Sequence, residues 1–171
     1  YTAACVAGLF GLEDGLKLIA ERGRQMQALV HDGAMAAVFA GEEQVSEALA
    51  SYAGAVSIAA LNGPENTVIS GQREAVLSLL EDLKKAGTGH KQLNVSHAFH
   101  SPLIEPMLDS FQDVVREVAF QEPETTIISN VTGDFAKNDE MADVSYWRKH
   151  ILQPVRFHSS INSLFSQGYS F

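Results

Sequence analysis

The sequence holds one cysteine, Cys5, in 171 residues. No internal disulfide can brace such a chain, and a reducing compartment suits it. It is also short of positive charge: 12 Lys and Arg stand against 21 Asp and Glu, for a formal net charge of −9. That balance disfavours nucleic acid or an anionic membrane surface as partner. No apolar run approaches the roughly 18 residues of a membrane-spanning helix. The opening residues lack the basic flank and apolar core of a secretory leader, so a cytoplasmic protein is expected. The sequons Asn94-Val95-Ser96 and Asn130-Val131-Thr132 are then chance matches. Gly63-Pro64 and Gly87-Thr88-Gly89 are turn glycines and not a phosphate-binding loop. No serine lies in a Gly-x-Ser-x-Gly elbow. His97 and His100 have no cysteine or acidic cluster to complete a metal site. Neither a metal nor a bound cofactor is expected.

With 46% hydrophobic residues, the chain can bury a core as one domain or a small pair. Tyr1 to Ala7 reads as the tail of a helix whose beginning lies outside the sequence. Leu12, Leu16, Ile19, Gly23 and Met26 recur at spacings of three and four, which predicts a helix burying that stripe. Glu13, Lys17, Glu21 and Arg24 then face solvent. Arg22 shares a flank with Leu18 and Leu29, so its guanidinium emerges from apolar surroundings. A snorkelling arginine covering the core edge and a ligand-binding arginine both fit that pattern.

From Gly33 to Val95 the periodicity alternates. Strands are expected at 34–40, 56–61, 66–70 and 90–95, with helices at 42–53 and 72–86. Val45, Ala48, Leu49 and Tyr52 face inward on the first helix, and Val76, Leu79, Leu80 and Leu83 on the second. Asn62-Gly63-Pro64-Glu65 links the middle strands. The order β-α-β-β-α-β is the split βαβ of ferredoxin-like domains. Beyond it come a helix from Pro102 to about Ala119, a strand at 126–129 and a turn at Asn130 to Gly133. A surface loop at 137–143, a helix capped by Ser145, a helix at 158–167 and a strand starting at Tyr169 complete the chain.

The most informative stretch is Ser96-His97-Ala98-Phe99-His100-Ser101-Pro102. Ser101 is a good N-cap and Pro102 suits the first helical position. His100 then stands just outside the positive end of a helix, where a neutral, proton-accepting ring is favoured. A neutral histidine held at a rigid helix start is what a general base needs. A surface turn that happens to hold two histidines is the plain alternative.

Eight blocks spread along the chain carry a family resemblance. They are Tyr1–Gly8, Leu12–Leu16, Glu21–Met26, Ala60–Pro64, Val68–Gly71, His97–Pro102, Ser129–Gly133 and Tyr146-Trp147 with Pro154–Phe157. In this order they resemble the acyltransferase domain of modular polyketide synthases, kin to malonyl-CoA:acyl carrier protein transacylase. The resemblance implies an α/β fold: an α/β-hydrolase-like large subdomain, here incomplete, with an inserted ferredoxin-like small subdomain. The large part would take 1–32 and 94–171, and the small one 33–93.

The family's nucleophile lies in Gly-His-Ser-x-Gly-Glu, immediately before the residue matching Tyr1. The resemblance therefore implies that the catalytic serine and the oxyanion segment lie outside this sequence. It makes His100 the base of a Ser-His dyad and gives the backbone carbonyl of His150 the task of orienting that imidazole. Arg22 matches the arginine that clamps the free carboxylate of the acyl unit. Met26 and Asn62 match positions near the pocket. His97-Ala98-Phe99-His100 is the malonyl form of the specificity motif, in which the Phe99 ring fills the space an α-methyl group needs.

The implied reaction loads malonyl from malonyl-CoA onto the phosphopantetheine of an acyl carrier protein, beside a flanking ketosynthase. A non-catalytic fragment that retains the pocket, and a thioesterase-like hydrolase, are the alternatives.

Overall fold

The computed structural model describes residues 1–29, 32–95, 97–137 and 139–170. Ser96, at the head of the histidine motif, and Phe171, in the expected last strand, lie outside the described residues. Two short helices open the chain, α1 (Thr2–Val6) and α2 (Leu12–Gln27). A four-stranded sheet follows, made of β1 (Gly33–Val38), β2 (Val56–Gly63), β3 (Asn66–Gln72) and β4 (His90–Gln92). Its helices are α3 (Glu42–Leu49), which runs on as a 3-10 turn through Tyr52, and α4 (Arg73–Lys85). The order across the sheet is β2-β3-β1-β4 and every neighbouring pair is antiparallel. This is the expected split βαβ arrangement.

Alternation along β1 gives the sheet two apolar faces. Ala34, Ala36 and Val38 join Val45, Ile69, Val76, Leu79, Leu80 and Leu83 under the two helices. Met35, Ala59 and Val68 turn the other way, toward Leu93, Val95 and Phe99. Gly33, at the head of β1, lets the histidine segment approach: a Cβ there would stand 2.6 Å from the Ala98 Cβ and 2.7 Å from its N.

The remaining elements are helical apart from one small hairpin. A 3-10 turn at Pro102–Ile104 leads into α5 (Glu105–Val115), shorter at its end than expected. β5 (Ile128–Ser129) pairs with β6 (Asp134–Phe135), then α6 (Val144–Leu152) and α7 (Phe157–Ser166) follow. The expected strand at 126–129 keeps only two paired residues. Tyr169 and Ser170 are irregular. A second core gathers Leu9, Phe10, Leu18, Met26, Leu108, Phe111, Tyr146, Trp147 and Ile151.

Two expectations need correction. In α2 the apolar stripe Leu12, Leu16 and Ile19 is exposed, and Gly15, Leu18, Gln25 and Met26 are buried instead. Gly15 explains the choice, because a Cβ there would overlap the Cys5 Sγ of α1. That close approach fixes which side of α2 turns inward. The cap of α6 is Asp143 and not Ser145: its carboxylate accepts from the Ser145 N at 2.7 Å. The 137–143 loop also contributes Met141 to the core. Among the described residues no helix is long and apolar enough to cross a membrane.

Candidate active site

His100 sits at φ 57°, alone among the described non-glycine residues in the left-handed region. Such a conformation costs about 1–2 kcal/mol, so the surroundings must hold it. Ser101 does so from the C-terminal side. Its buried hydroxyl donates to the Ala98 carbonyl at 2.7 Å and accepts from the Leu103 N at 3.3 Å. From the sheet, the Ser57 hydroxyl donates to the His100 carbonyl at 3.0 Å. The expected N-cap and N1 proline are both in place, with His100 just outside the helix start.

His100 lines a cleft of about 450 Å³. Ser57, Ile58, Glu105, Leu152, Gln153 and Pro154 also line it. Burial lowers the His100 pKa from its ordinary value, and the Arg22 charge lowers it further. A backbone interaction with Gln153 opposes both. The ring is therefore neutral near pH 7 and free to accept a proton.

The resemblance gave an orienting role to the carbonyl of His150, and the backbone of Gln153, three residues on, also acts on the His100 ring. Pro154 shapes this helix end. It has no N–H to offer the His150 carbonyl four residues back, and it forces Gln153 into an extended conformation (φ −77°, ψ 159°). The end of α6 thus presents carbonyls that the helix itself does not use.

The His150 ring is packed beside Tyr1 (ring centroids 5.6 Å) and Trp147 (5.6 Å). Its pKa falls to about 3, chiefly through burial, with the Arg22 and His100 charges adding to the shift. Arg22 is close enough to act on both histidines, and its Cζ lies 5.8 Å from the Tyr1 ring centroid. Its Nε is buried without a hydrogen-bond partner among the described residues. The same holds for Tyr1 Oη, Gln25 Oε1 and the Nδ1 atoms of His100 and His150. A guanidinium in this state is a receptor for an anion with two oxygens.

The other expected site residues divide. Phe99 is half-buried and touches both the large core and the inner face of the sheet. His97 is buried, with its ring 6.1 Å from that of Phe99. Met26 is a core residue, 6% exposed. Asn62 is exposed near the end of β2, next to Leu61, whose N donates to the Val155 carbonyl at 2.9 Å. Tyr1, Ser57 and Gln153 were missed. Pro154 was the available signal for Gln153, since it marks where a helix must release its carbonyls. A serine on an alternating strand and a tyrosine at a helix start carry no comparable mark.

The family model described as "Acyl transferase domain" matches residues 1–171. Mycoketide-CoA synthase of Mycobacterium tuberculosis is 47% identical over 169 residues, covering 99% of this chain and 4% of that protein. Spectinabilin polyketide synthase system protein NorB of Streptomyces orinoci is 42% identical over 166 residues, 97% of this chain and 8% of its own length. Among solved structures, the acyltransferase domain from the second module of the salinomycin polyketide synthase superposes with TM-score 0.93 at 44% identity. That match covers 97% of this chain and 39% of the other. The malonyl CoA-acyl carrier protein transacylase from Clostridium perfringens gives 0.92 at 29% identity, over 98% and 54%.

Proposed function

The chain belongs to the acyl transferase domain family, and from that premise we propose that it serves malonyl transfer from malonyl-CoA to the phosphopantetheine thiol of an acyl carrier protein. The observation that carries this reading is Arg22: a half-buried guanidinium with an unpartnered Nε, close enough to the neutral His100 imidazole to lower its pKa. An acyl group with a free carboxylate would occupy that guanidinium and bring its thioester carbonyl toward the base.

In the mechanism proposed, His100 accepts the proton of a serine hydroxyl as the oxygen attacks the malonyl thioester carbonyl. The C–S bond breaks and the imidazolium returns the proton to the departing thiolate. The carrier thiol then reverses the sequence, with His100 again taking and giving one proton. Gln153 holds the ring, and the negative end of α6 favours the transient imidazolium. The serine is assigned to residues outside these 171. Within them, the Ser57 hydroxyl in the cleft is committed to carbonyl oxygens.

The same proposal covers the setting: a cytoplasmic polyketide synthase with a ketosynthase and a carrier protein as partners. It also takes 33–93 as a subdomain inserted between 1–32 and 94–171, which the separate cores support. Arg22→Ala, in a domain completed with the serine-bearing segment, tests the reading. Truncating one partner of a buried charge pair costs about 2–5 kcal/mol, and acetyl has no carboxylate to lose. Malonyl transfer should fall at least tenfold more than acetyl transfer in kcat/KM. Equal losses for the two substrates would reject the assignment.

A further inference from the structure

Three aromatic and cationic groups form one column beside the cleft. Trp147 is fully buried, and its Nε1 donates to the Met141 carbonyl at 2.9 Å. Phe10 and Tyr146 pack edge-on against it, with centroids at 5.5 and 5.3 Å. The Tyr1 ring stacks on this fixed indole at 5.1 Å with 28° between the planes. The Arg22 guanidinium lies over Tyr1 at 5.8 Å. His150 closes the side of the column with its ring edge toward Tyr1.

An arginine side chain has several rotatable bonds, and Arg22 has no hydrogen bond or ion pair with another described residue to select a rotamer. The Tyr1 π face is the contact that can orient it.

We propose that Tyr1 is a positioning residue: its ring, held by Trp147, sets the plane in which Arg22 meets the carboxylate of the acyl group, and so sets the preference for acyl groups that end in a carboxylate. This rests on the reading of Arg22 given above. A guanidinium laid against a fixed ring presents its remaining N–H edge in one direction, which a bidentate carboxylate requires. The phenol remains a neutral donor through the working pH range, because burial pushes it up to about 12.

The test compares Tyr1→Phe, Tyr1→Leu and Arg22→Ala in the completed domain, with malonyl-CoA and acetyl-CoA as the two probes. Tyr1→Leu removes the π face, and the malonyl-to-acetyl ratio of kcat/KM should fall about five- to tenfold. Tyr1→Phe keeps the face and should hold the ratio within twofold. An equal loss on both substrates with Tyr1→Leu, or an unchanged ratio, overturns the proposal. So does a Tyr1→Phe loss as large as that of Tyr1→Leu. Should Tyr1→Leu not fold, Tyr1→Met offers similar bulk without a π face for the same comparison. Arg22→Ala separates the two claims. If it leaves the ratio unchanged, the carboxylate reading has failed. If it collapses the ratio while Tyr1→Leu does not, the platform alone has failed.

Discussion

At the scale of single residues, the charge beside His100 decides when it can act. Burial and the Arg22 guanidinium both lower its pKa, so removing Arg22 should raise it. Ring-proton NMR of this chain should show His100 titrating below the ordinary 6.5, and the midpoint should move upward in Arg22→Ala. An unmoved midpoint would mean that the two groups do not interact. His150 carries a stability consequence. Its pKa is about 3 in the fold against 6.5 for an ordinary histidine, so the fold favours the neutral ring. The stabilisation is complete above about 6.5 and is lost as pH falls from there toward 3. The slope is up to about 1.4 kcal/mol per pH unit. Urea denaturation at pH 7.5 and pH 5 should show the loss, and His150→Phe should reduce it. Phe99 bridges two cores, so exchanging it has two effects. The pair His97→Tyr with Phe99→Ser should raise the methylmalonyl-to-malonyl ratio of kcat/KM without reversing it, since one methyl is worth about 1–3 kcal/mol. Competition between the two CoA esters is the measurement, and an unchanged ratio in an active protein would place the pocket wall elsewhere. The placement of His100 was legible because Ser101 and Pro102 fix a helix start by local rules. The neighbours of Arg22 were not legible, because Tyr1 meets it from another helix and is itself backed by Trp147 from far along the chain.

At the scale of elements, the helix start after His100 is the piece that everything else leans on. Ser101 is 1% exposed and makes two backbone hydrogen bonds that no water could replace. Ser101→Ala should destabilise the fold by about 1–2 kcal/mol, measured by chemical denaturation. It should also lower acyl transfer, as the left-handed turn at His100 relaxes. A stability change within about 0.5 kcal/mol would show that the cap is dispensable. The faces of α3 and α4 were readable because each carries a single apolar stripe. α2 carries two, Leu12-Leu16-Ile19 and Leu18-Met26-Leu29, and periodicity cannot choose between them. The deciding feature is the absent side chain at Gly15, which only a neighbouring helix can turn into a constraint. β5 shows the opposite failure. Its β-branched residues predict a strand, but strand length is set by what lies alongside, and only two residues of β6 do so.

At the scale of the whole molecule, a core under the small sheet and a larger helical core meet at the cleft that His100 lines. The order of the small sheet was legible, because its pattern of strands and helices closes on itself within 33–92, although β4 ends at Gln92 where the strand was expected to reach Val95. The chemistry is divided differently, since its proposed nucleophile lies outside the sequence. Incubated with radiolabelled malonyl-CoA, this chain alone should take up no stable covalent label. Stoichiometric labelling of Ser57 or any other serine would overturn that. The two halves are also sewn together by backbone. The Val155 N donates to the Ala59 carbonyl at 2.9 Å, and the Leu61 N donates to the Val155 carbonyl at 2.9 Å, a short parallel bridge centred on Ala60. Val155 follows directly on the Gln153-Pro154 wall of the cleft. The two amide protons of this bridge are built-in reporters of whether the two parts stay joined. They can exchange with solvent deuterium only when the bridge opens, so Leu61 and Val155 should exchange at one common rate, and an acyl group wedged against His100 should slow both together.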